Sequence, residues 1–229
     1  MIFPAAVGLT LAGSVVHGAF HRNSKVFGPV LGHLPTRERE VALTFDDGPN
    51  PDATPRILDT LGDLGVHATF FILGRHAERW PDIVHRTVSE GHQLGNHGYF
   101  HRKLHLKSPF YVKRDLELGR RAIERAGAQS PRFFRAPHGF RSPWVSAIAG
   151  SMGERTIGWS LGVWDSDQPG VSTIVDRTME GVRPGSIVLL HDGDGYNADG
   201  NRMQTVAALP RIINGLRDRG YEFVTLPLQ

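Results

Sequence analysis

The sequence predicts an α/β fold built from parallel strands, and three observations support that prediction. Short apolar runs alternate with longer helical segments from about residue 39 to the C-terminus, a pattern typical of repeated β-α units. Seven runs are present, and none leads into the Gly-x-Gly-x-x-Gly loop of a dinucleotide-binding sheet, which favours a barrel. Polar residues follow several of the runs, as they do at the rim of such a barrel.

The apolar runs are short, and helical segments separate them. The runs are VALTF (41–45), HATFFIL (67–73), HQLGN (92–96), RFF (132–134), ERTIGWSL (154–161), SIVLL (186–190) and EFVTL (222–226). Among the helical segments, residues 52–65 carry an apolar stripe, residues 108–127 begin with a serine cap followed by proline, and residues 205–220 end the series.

The composition is that of a globular protein with one sizeable core. With 229 residues, 40% of them apolar and 21% charged, the chain is expected to form a single domain. The 26 basic and 23 acidic residues give a net charge of +3, too small an excess to indicate a nucleic-acid partner. Because there is no cysteine, disulfides and thiolate metal sites are excluded. A metal would need nitrogen and oxygen ligands, which the 12 histidines make plausible.

The N-terminal segment, residues 1–38, differs from the rest of the chain. Residues 1–20 contain no acid, lysine or arginine, and the basic stretch HRNSK follows them. This pattern indicates a membrane anchor or an uncleaved signal, and so a protein held at the membrane or exported to the cell envelope rather than cytoplasmic. No basic residues precede the apolar stretch and no small-x-small cleavage site ends it, so an N-terminal helix buried against the domain is the alternative. We expect residues 39–229 to form the folded domain.

Polar residues that are suited to catalysis or metal binding follow five of the predicted strands. Because the carboxyl ends of parallel strands meet at one rim of a barrel, we expect these side chains to lie close together. They are Asp46 and Asp47 after VALTF, His97 and His101 after HQLGN, Arg135 after RFF, Asp165 after WSLGVW, and His191 and Asp192 after SIVLL.

The adjacent carboxylates of Asp46 and Asp47 indicate a bound cation, since two buried like charges side by side repel. His97 and His101 share one side if their segment forms a helical turn, and two imidazoles with one carboxylate suit a divalent ion. The second carboxylate then stays ionised as a general base beside a metal-bound water. His191 is placed to act as the acid.

Five motifs resemble those of the polysaccharide deacetylases, the carbohydrate esterases of family 4 built on the NodB homology domain. The motifs are TFDDGP, HGYFH, RAPHG, WSLGVWDSD and LLHD, and in order they cover residues 39–229. The resemblance implies a distorted (β/α)7 barrel and a metal-dependent hydrolase that removes acetyl groups from carbohydrate.

The resemblance also implies a role for each matching residue. Asp46 resembles the catalytic base and Arg135 the arginine that holds it, while His191 resembles the general acid. The implied metal ligands are Asp47, His97 and His101. The implied substrate-binding residues are Pro137, His138 and Gly139, whose backbone contributes to the oxyanion site, and Leu189 and Trp164, which line the acetyl pocket.

The chain departs from the family pattern at three places. Gly98 stands where Ser or Thr usually follows the first histidine, so a supporting hydrogen bond is lost or replaced. His138 stands where Tyr or Trp is frequent. The fourth motif is degenerate, so we expect Asp165 to orient His191, with Asp167 as the alternative. We expect no role for His76, His85, His92 and His105.

These features together predict removal of acetyl groups from an N-acetylglucosamine polymer of the peptidoglycan or chitin type, although acetyl xylan fits the same chemistry. The expected cofactor is Zn²⁺, with Co²⁺ or another divalent ion as alternatives. The expected partner is the acetylated carbohydrate, and the oligomeric state is left open.

Three other functions share some of these features. The same site serves deformylases of lipid-linked sugars and amidases of small cyclic amides. Two histidines and a carboxylate also bind iron in oxygenases, but those sites usually lie on all-β folds. A glycan-binding module with an inactive site is the non-enzymatic alternative.

Overall fold

One sheet of parallel strands organises the molecule. The structure is a computed structural model and describes residues 13–228. The strands run in the order β5-β4-β3-β2-β1-β7-β6, and β8 also pairs with β1. They are β1 (Glu40–Asp46), β2 (Thr69–Ile72), β3 (Gln93–Asn96), β4 (Phe133–Phe134), β5 (Arg155–Thr156), β6 (Leu161–Gly162), β7 (Ser186–His191) and β8 (Glu222–Phe223).

Helices follow most of the strands and cover the outside of the sheet. The described part of α1 is residues 13–20. The other helices are α2 (Ala53–Asp63), α3 (Gly74–Arg79), α4 (Pro81–Ser89), α5 (Pro109–Gly127), α6 (Pro143–Ser151), α7 (Val171–Gly181) and α8 (Met203–Asp218). Single 3-10 turns lie at Leu104–Leu106, Pro137–Gly139 and Asp165–Asp167.

The fifth apolar run bridges the two edges of the sheet. Its first part, β5, pairs with β4, and its second part, β6, pairs with β7. Between them, Ile157 donates its N–H to Phe134 and Ser160 donates to Ile187. The single strand expected here is therefore two short strands with different partners, and the sheet curls into a distorted barrel. The predicted α/β fold of parallel strands is confirmed, and each of the seven runs contributes a strand.

Alternation along β1 decides which side chains face the barrel interior. The outer core, between the sheet and the helices, takes every second residue of the strand: Val41, Leu43 and Phe45. Ala42 belongs to the inner core. Because neighbouring residues on a strand point to opposite faces, Thr44 and Asp46 lie on the same inner face as Ala42. The strand therefore ends with the Asp46 carboxylate at the rim of the barrel.

The N-terminal segment lies against this barrel. Leu31 forms an isolated parallel bridge with Ile157 and is buried in the inner core. The fully buried Arg141 holds the segment through its N–H, which donates to the Ala19 carbonyl, and through Nη2, which donates to the Ser24 carbonyl. These hydrogen bonds dock residues 19–24 on the domain, while residues 13–17 of α1 are exposed.

The predicted membrane anchor is only partly covered by the structure. Residues 1–12 lie outside the described part of the chain. Within residues 13–228, no helix has both the length and the apolar character needed to cross a bilayer.

Phe70 tests the outer core. Its ring stacks on Phe45 at 5.0 Å and is fully buried. We expect Phe70→Ala to lower the free energy of unfolding by about 3–5 kcal/mol, because it removes buried area and leaves a cavity. Urea titration measures the change. Val26→Ala, at a side chain that is 50% exposed, should change it by no more than about 0.5 kcal/mol. Equal effects of the two substitutions would contradict this account of the core.

Candidate active site

The predicted polar residues meet at the carboxyl end of the barrel. Five of them line a cleft of about 550 Å³: Asp46, Asp47, His97, His101 and His191. These side chains come from the ends of β1, β3 and β7, which are neighbours or near neighbours in the sheet. The register aligns Asp46 directly with His191 on the adjacent strand.

Asp47, His97 and His101 form a group that could hold a metal ion. The Asp47 Oδ1 atom lies 3.3 Å from His97 Nε2 and 3.1 Å from His101 Nε2, and all three residues are buried. His97 donates from Nδ1 to the Arg135 carbonyl at 2.8 Å, so the Nε2 of the neutral ring carries a lone pair. Within the described chain, Asp47 Oδ1 has no hydrogen-bond partner. A cation among these three atoms would satisfy them all.

The pKa shifts of His101 and Asp47 suit metal binding. Burial lowers the pKa of His101 to about 3, despite the opposing charge of Asp47, so the imidazole is neutral at pH 7. Burial opposes ionisation of Asp47, but His101 and His97 hold the pKa of its carboxyl far below the usual range. A neutral imidazole and an ionised carboxylate are the forms that bind a divalent ion. Burial would lower the pKa of His97, but the carboxylates of Asp46 and Asp47 raise it, and a bound cation would oppose their effect.

A turn, and not a helix, brings the two histidines together. Strand β3 ends at Asn96, and the chain reverses through Gly98 with φ 78° and His101 with φ 55°. The rings of His97 and His101 end 5.3 Å apart between centroids. The helical turn expected from the spacing is therefore absent, although the proximity it predicted is present.

Asp46 has a different environment from its neighbour Asp47. Its Oδ1 accepts from Arg135 Nη1 at 2.7 Å, and Arg135 is fully buried. Arg135 also donates to Thr44 Oγ1 and to the Gly158 carbonyl, and its guanidinium lies 4.1 Å from the centre of the Phe71 ring. The guanidinium is therefore held rigidly and fixes one oxygen of Asp46, while Oδ2 faces the cleft side, 3.8 Å from His97 Nε2.

Asp165, and not Asp167, contacts His191. Its Oδ1 lies 2.8 Å from His191 Nδ1, and its Oδ2 accepts from the His191 backbone N–H and from Thr205 Oγ1. Asp167 is exposed. Burial alone would lower the pKa of His191, but Asp165, with Asp47 and Asp46 nearby, raises it to about 9. His191 is therefore protonated at neutral pH with Nε2 free.

The cleft walls contain most of the predicted substrate-binding residues. His138, Gly139, Trp164 and Leu189 line it, and Pro137 is buried in the same turn as His138. The His138 ring interacts with the Tyr196 hydroxyl at 3.0 Å. The structure adds lining residues that the sequence did not indicate: Phe20, His21, Arg22, Phe140, Trp159 and Tyr196.

Known proteins share both the sequence and the fold of this chain. The sequence pattern of the polysaccharide deacetylases matches residues 33–157. A chitooligosaccharide deacetylase from Sinorhizobium fredii is 42% identical over 193 residues, which cover 82% of this chain and 90% of the relative. The chain belongs to the polysaccharide deacetylase family.

Solved structures of the same family have the same fold. A peptidoglycan N-acetylglucosamine deacetylase in complex with 4-naphthalen-1-yl-N-oxidanyl-benzamide superposes with a TM-score of 0.79 at 34% identity, covering 86% of this chain and 91% of that one. A family 4 pseudoenzyme from Bacillus anthracis has a TM-score of 0.77 at 28% identity, covering 86% and 66%. The predictions of the family, of the fold and of an enzyme of the deacetylase type are confirmed.

In this polysaccharide deacetylase, Asp115 supports the backbone of the turn that follows Gly98. The Asp115 carboxylate accepts from the backbone N–H groups of Tyr99 at 3.0 Å and Phe100 at 3.3 Å. A Cβ atom at Gly98 would lie 2.5 Å from Asp115 Oδ2, so a larger residue there would displace the carboxylate. The sequence did contain a signal, because Asp115 stands between Val112 and Leu116 on the buried stripe of α5.

Two more residues to which the sequence analysis gave no role lie against the turn at Asp47. His76, which we expected to have no role, donates from Nδ1 to the Asp47 carbonyl at 2.8 Å and is buried. Asp192 accepts from Thr54 Oγ1 at 2.6 Å. A Cβ at Gly48 would lie 2.0 Å from Asp192 Oδ2, so the turn and this carboxylate are in close contact.

Asp165→Asn tests the environment of His191. Removing the carboxylate charge should lower the pKa of the imidazole by about 1–3 pH units, because burial then dominates. An NMR titration of the His191 ring measures the shift. Asp167→Asn, at the exposed neighbour, should leave that titration unchanged, and a similar shift in both variants would show that a general field effect is responsible.

Asp115→Asn tests whether the Asp115 carboxylate supports the turn between His97 and His101. An amide can accept with only one atom, so one of the two backbone N–H groups loses its partner. The affinity for a divalent ion should fall about tenfold, the lower end of the range for residues that support ligands. Chelator competition measures it on purified protein. Glu117→Gln on the same helix, which breaks only a surface pair with Lys113, is the control. Unchanged affinity in both variants would rule out this support.

Proposed function

We propose that the chain is a divalent-metal hydrolase that removes acetyl groups from N-acetylglucosamine residues of a peptidoglycan or chitin-type glycan. One observation carries the proposal: the buried group of Asp47, His97 and His101 lies between Asp46, held by Arg135, and His191, held by Asp165. The chitooligosaccharide and peptidoglycan deacetylases that resemble the chain support the choice of substrate.

The metal would be held by Asp47 Oδ1 and by Nε2 of His97 and His101. Two nitrogen ligands and one oxygen ligand in a three-residue site with room for water suit Zn²⁺, and Co²⁺ fits the same donors. When bound, the ion polarises the acetyl carbonyl and lowers the pKa of water.

The residues of the chain then divide the proton transfers between them. Asp46 accepts a proton from the attacking water while Arg135 fixes its orientation. The backbone N–H of His138, which has no partner among the described residues, is available to the oxyanion. His191, protonated and oriented by Asp165, gives its proton to the departing amine as the carbon–nitrogen bond breaks. The products are acetate and the glucosamine residue.

A second candidate is a deformylase or amidase that acts on a lipid-linked sugar with the same side chains. The observation in its favour is that one apolar side chain of α1, that of Phe20, reaches the cleft. Phe20 lines the cleft and is 54% exposed, and Val16, one turn earlier, is 57% exposed. This candidate requires activity on lipid-bearing substrates and none on soluble oligomers.

We also propose that residues 39–229 form the catalytic domain and that residues 1–20 associate with a membrane at the cell envelope. The apolar N-terminal sequence and the exposed Val15, Val16 and Phe20 support the membrane association. An inactive glycan-binding module is disfavoured because Asp46, both histidines and His191 are all present, and Asp46 and His191 contact Arg135 and Asp165.

Acetate release from purified protein tests the proposed function. Metal content is measured first, and acetate is then assayed with N-acetylglucosamine oligomers, peptidoglycan fragments and acetyl xylan. We expect zinc and release from the first two substrates. Asp46→Asn should retain the metal, because Asp46 is not a ligand, and should lower kcat by about 10²–10⁴-fold.

The control is Asp63→Asn, at an exposed carboxylate outside the cleft, which should keep full activity. Full activity of Asp46→Asn would disprove the assignment of the base. Release only from a lipid-linked substrate would select the second candidate.

A further inference from the structure

The N-terminal segment forms one wall of the cleft, and Arg22 is the charged side chain that it adds to the lining. Residues 20–22 line the cleft together with Trp159 and Gly139. The segment is held there by hydrogen bonds in both directions. Asn23 Nδ2 donates to the Trp159 carbonyl at 2.9 Å, and the Trp159 N–H donates to Asn23 Oδ1 at 3.2 Å. Together with the two bonds from Arg141, these contacts place the segment on the rim.

The Arg22 side chain is oriented by Trp159. Its Nε donates to the Trp159 carbonyl at 2.9 Å, and its guanidinium carbon lies 5.4 Å from the centre of the indole ring. The stem lies beside the oxyanion turn, since Arg22 Cβ is 3.4 Å from the position of a Cβ atom on Gly139. The guanidinium thus lines the cleft, and its stem lies beside the turn that contains His138 and Gly139.

The two arginines of the cleft, Arg22 and Arg202, differ in whether a carboxylate pairs with the guanidinium. Arg202 pairs with Asp194 at 2.9 Å and donates to the Gly193 carbonyl. Within residues 13–228, no carboxylate forms an ion pair with Arg22, and its two Nη groups have no hydrogen-bond partner. A half-buried guanidinium with two free Nη groups presents the planar geometry that binds a carboxylate through two parallel hydrogen bonds.

We propose that Arg22 binds a carboxylate on the sugar next to the one that is deacetylated, so that the cleft selects an acidic N-acetylated glycan over a neutral one. This proposal rests on the proposed function and refines it. Of the two glycan classes that fit the site, peptidoglycan strands carry a free lactyl carboxylate on alternate sugars wherever the stem peptide has been removed and an amide wherever it is attached, whereas chitin oligomers are uncharged.

A pair of oligosaccharides that differ only in charge tests the proposal. One is a tetrasaccharide of alternating N-acetylglucosamine and N-acetylmuramic acid with free lactyl carboxylates. The other is the same tetrasaccharide with each carboxylate converted to a methylamide. Calorimetry with the full chain, under chelation so that neither is consumed, gives the ratio of the two dissociation constants. Acetate release gives the ratio of the two kcat/KM values.

We expect the wild-type chain to bind the acidic tetrasaccharide about tenfold more tightly, the lower range for a hydrogen bond between charged groups. Arg22→Gln should reduce the ratio to about 1, and Arg22→Lys, which keeps the charge but loses the planar fork, should give an intermediate ratio. The control Arg37→Gln removes the same charge from an exposed residue of the N-terminal segment outside the cleft and should keep the wild-type ratio.

A wild-type ratio near 1, or an unchanged ratio in Arg22→Gln, would overturn the proposal. A ratio that falls equally in Arg37→Gln would overturn it too, because net charge would then explain the preference. Failure of the proposed function has a different signature. In that case no acetate is released from either tetrasaccharide, while the binding ratios still show whether Arg22 recognises the carboxylate.

Discussion

The end of strand β1 places two adjacent carboxylates in opposite environments, and the site depends on this separation. Asp46 is still part of the strand and points into the barrel, where the buried Arg135 holds it at 2.7 Å. Asp47 has left the strand with φ 74° and turns toward the two imidazoles. Two buried aspartates side by side would otherwise raise each other's pKa. Here Asp46 pairs with the Arg135 guanidinium, and Asp47 faces the two imidazoles with which it could bind a cation.

The separation is maintained by residues outside the rim motifs. A non-glycine residue in the left-handed region costs roughly 1–2 kcal/mol and persists only where its surroundings hold it. Asp47, His101, His138 and Trp164 all have positive φ values, and all lie at the cleft. His76 holds the carbonyl of Asp47, and Asp115 holds the two N–H groups that precede His101. These buried polar residues keep the strained turns in place.

Much of the site was predictable from the sequence because parallel strands end at a common rim. Once the apolar runs were assigned as strands, Asp46, His97, Arg135 and His191 had to lie near one another. The partition of the fifth run between two strands was not predictable, since a short apolar run carries no information about its partners. The turn that brings His97 and His101 together was not predictable either, because a spacing of four residues is compatible both with a helix and with a reversal through glycine.

Contacts between distant segments account for the remaining differences between the predictions from the sequence and the structure. Arg22 lies 137 residues from Trp159 in the chain, and its place in the cleft depends on the buried Arg141 that holds the backbone on either side of it. The segment whose sequence predicts an apolar leader with a basic end contributes residues 20–22 to the lining of the cleft. The segment can both present apolar side chains to its surroundings and line the cleft, because the apolar side chains of α1 that precede the cleft-lining residues are exposed. A chain held at a surface by its first residues would therefore carry its cleft close to that surface, since Phe20 belongs to both the exposed helix face and the cleft lining.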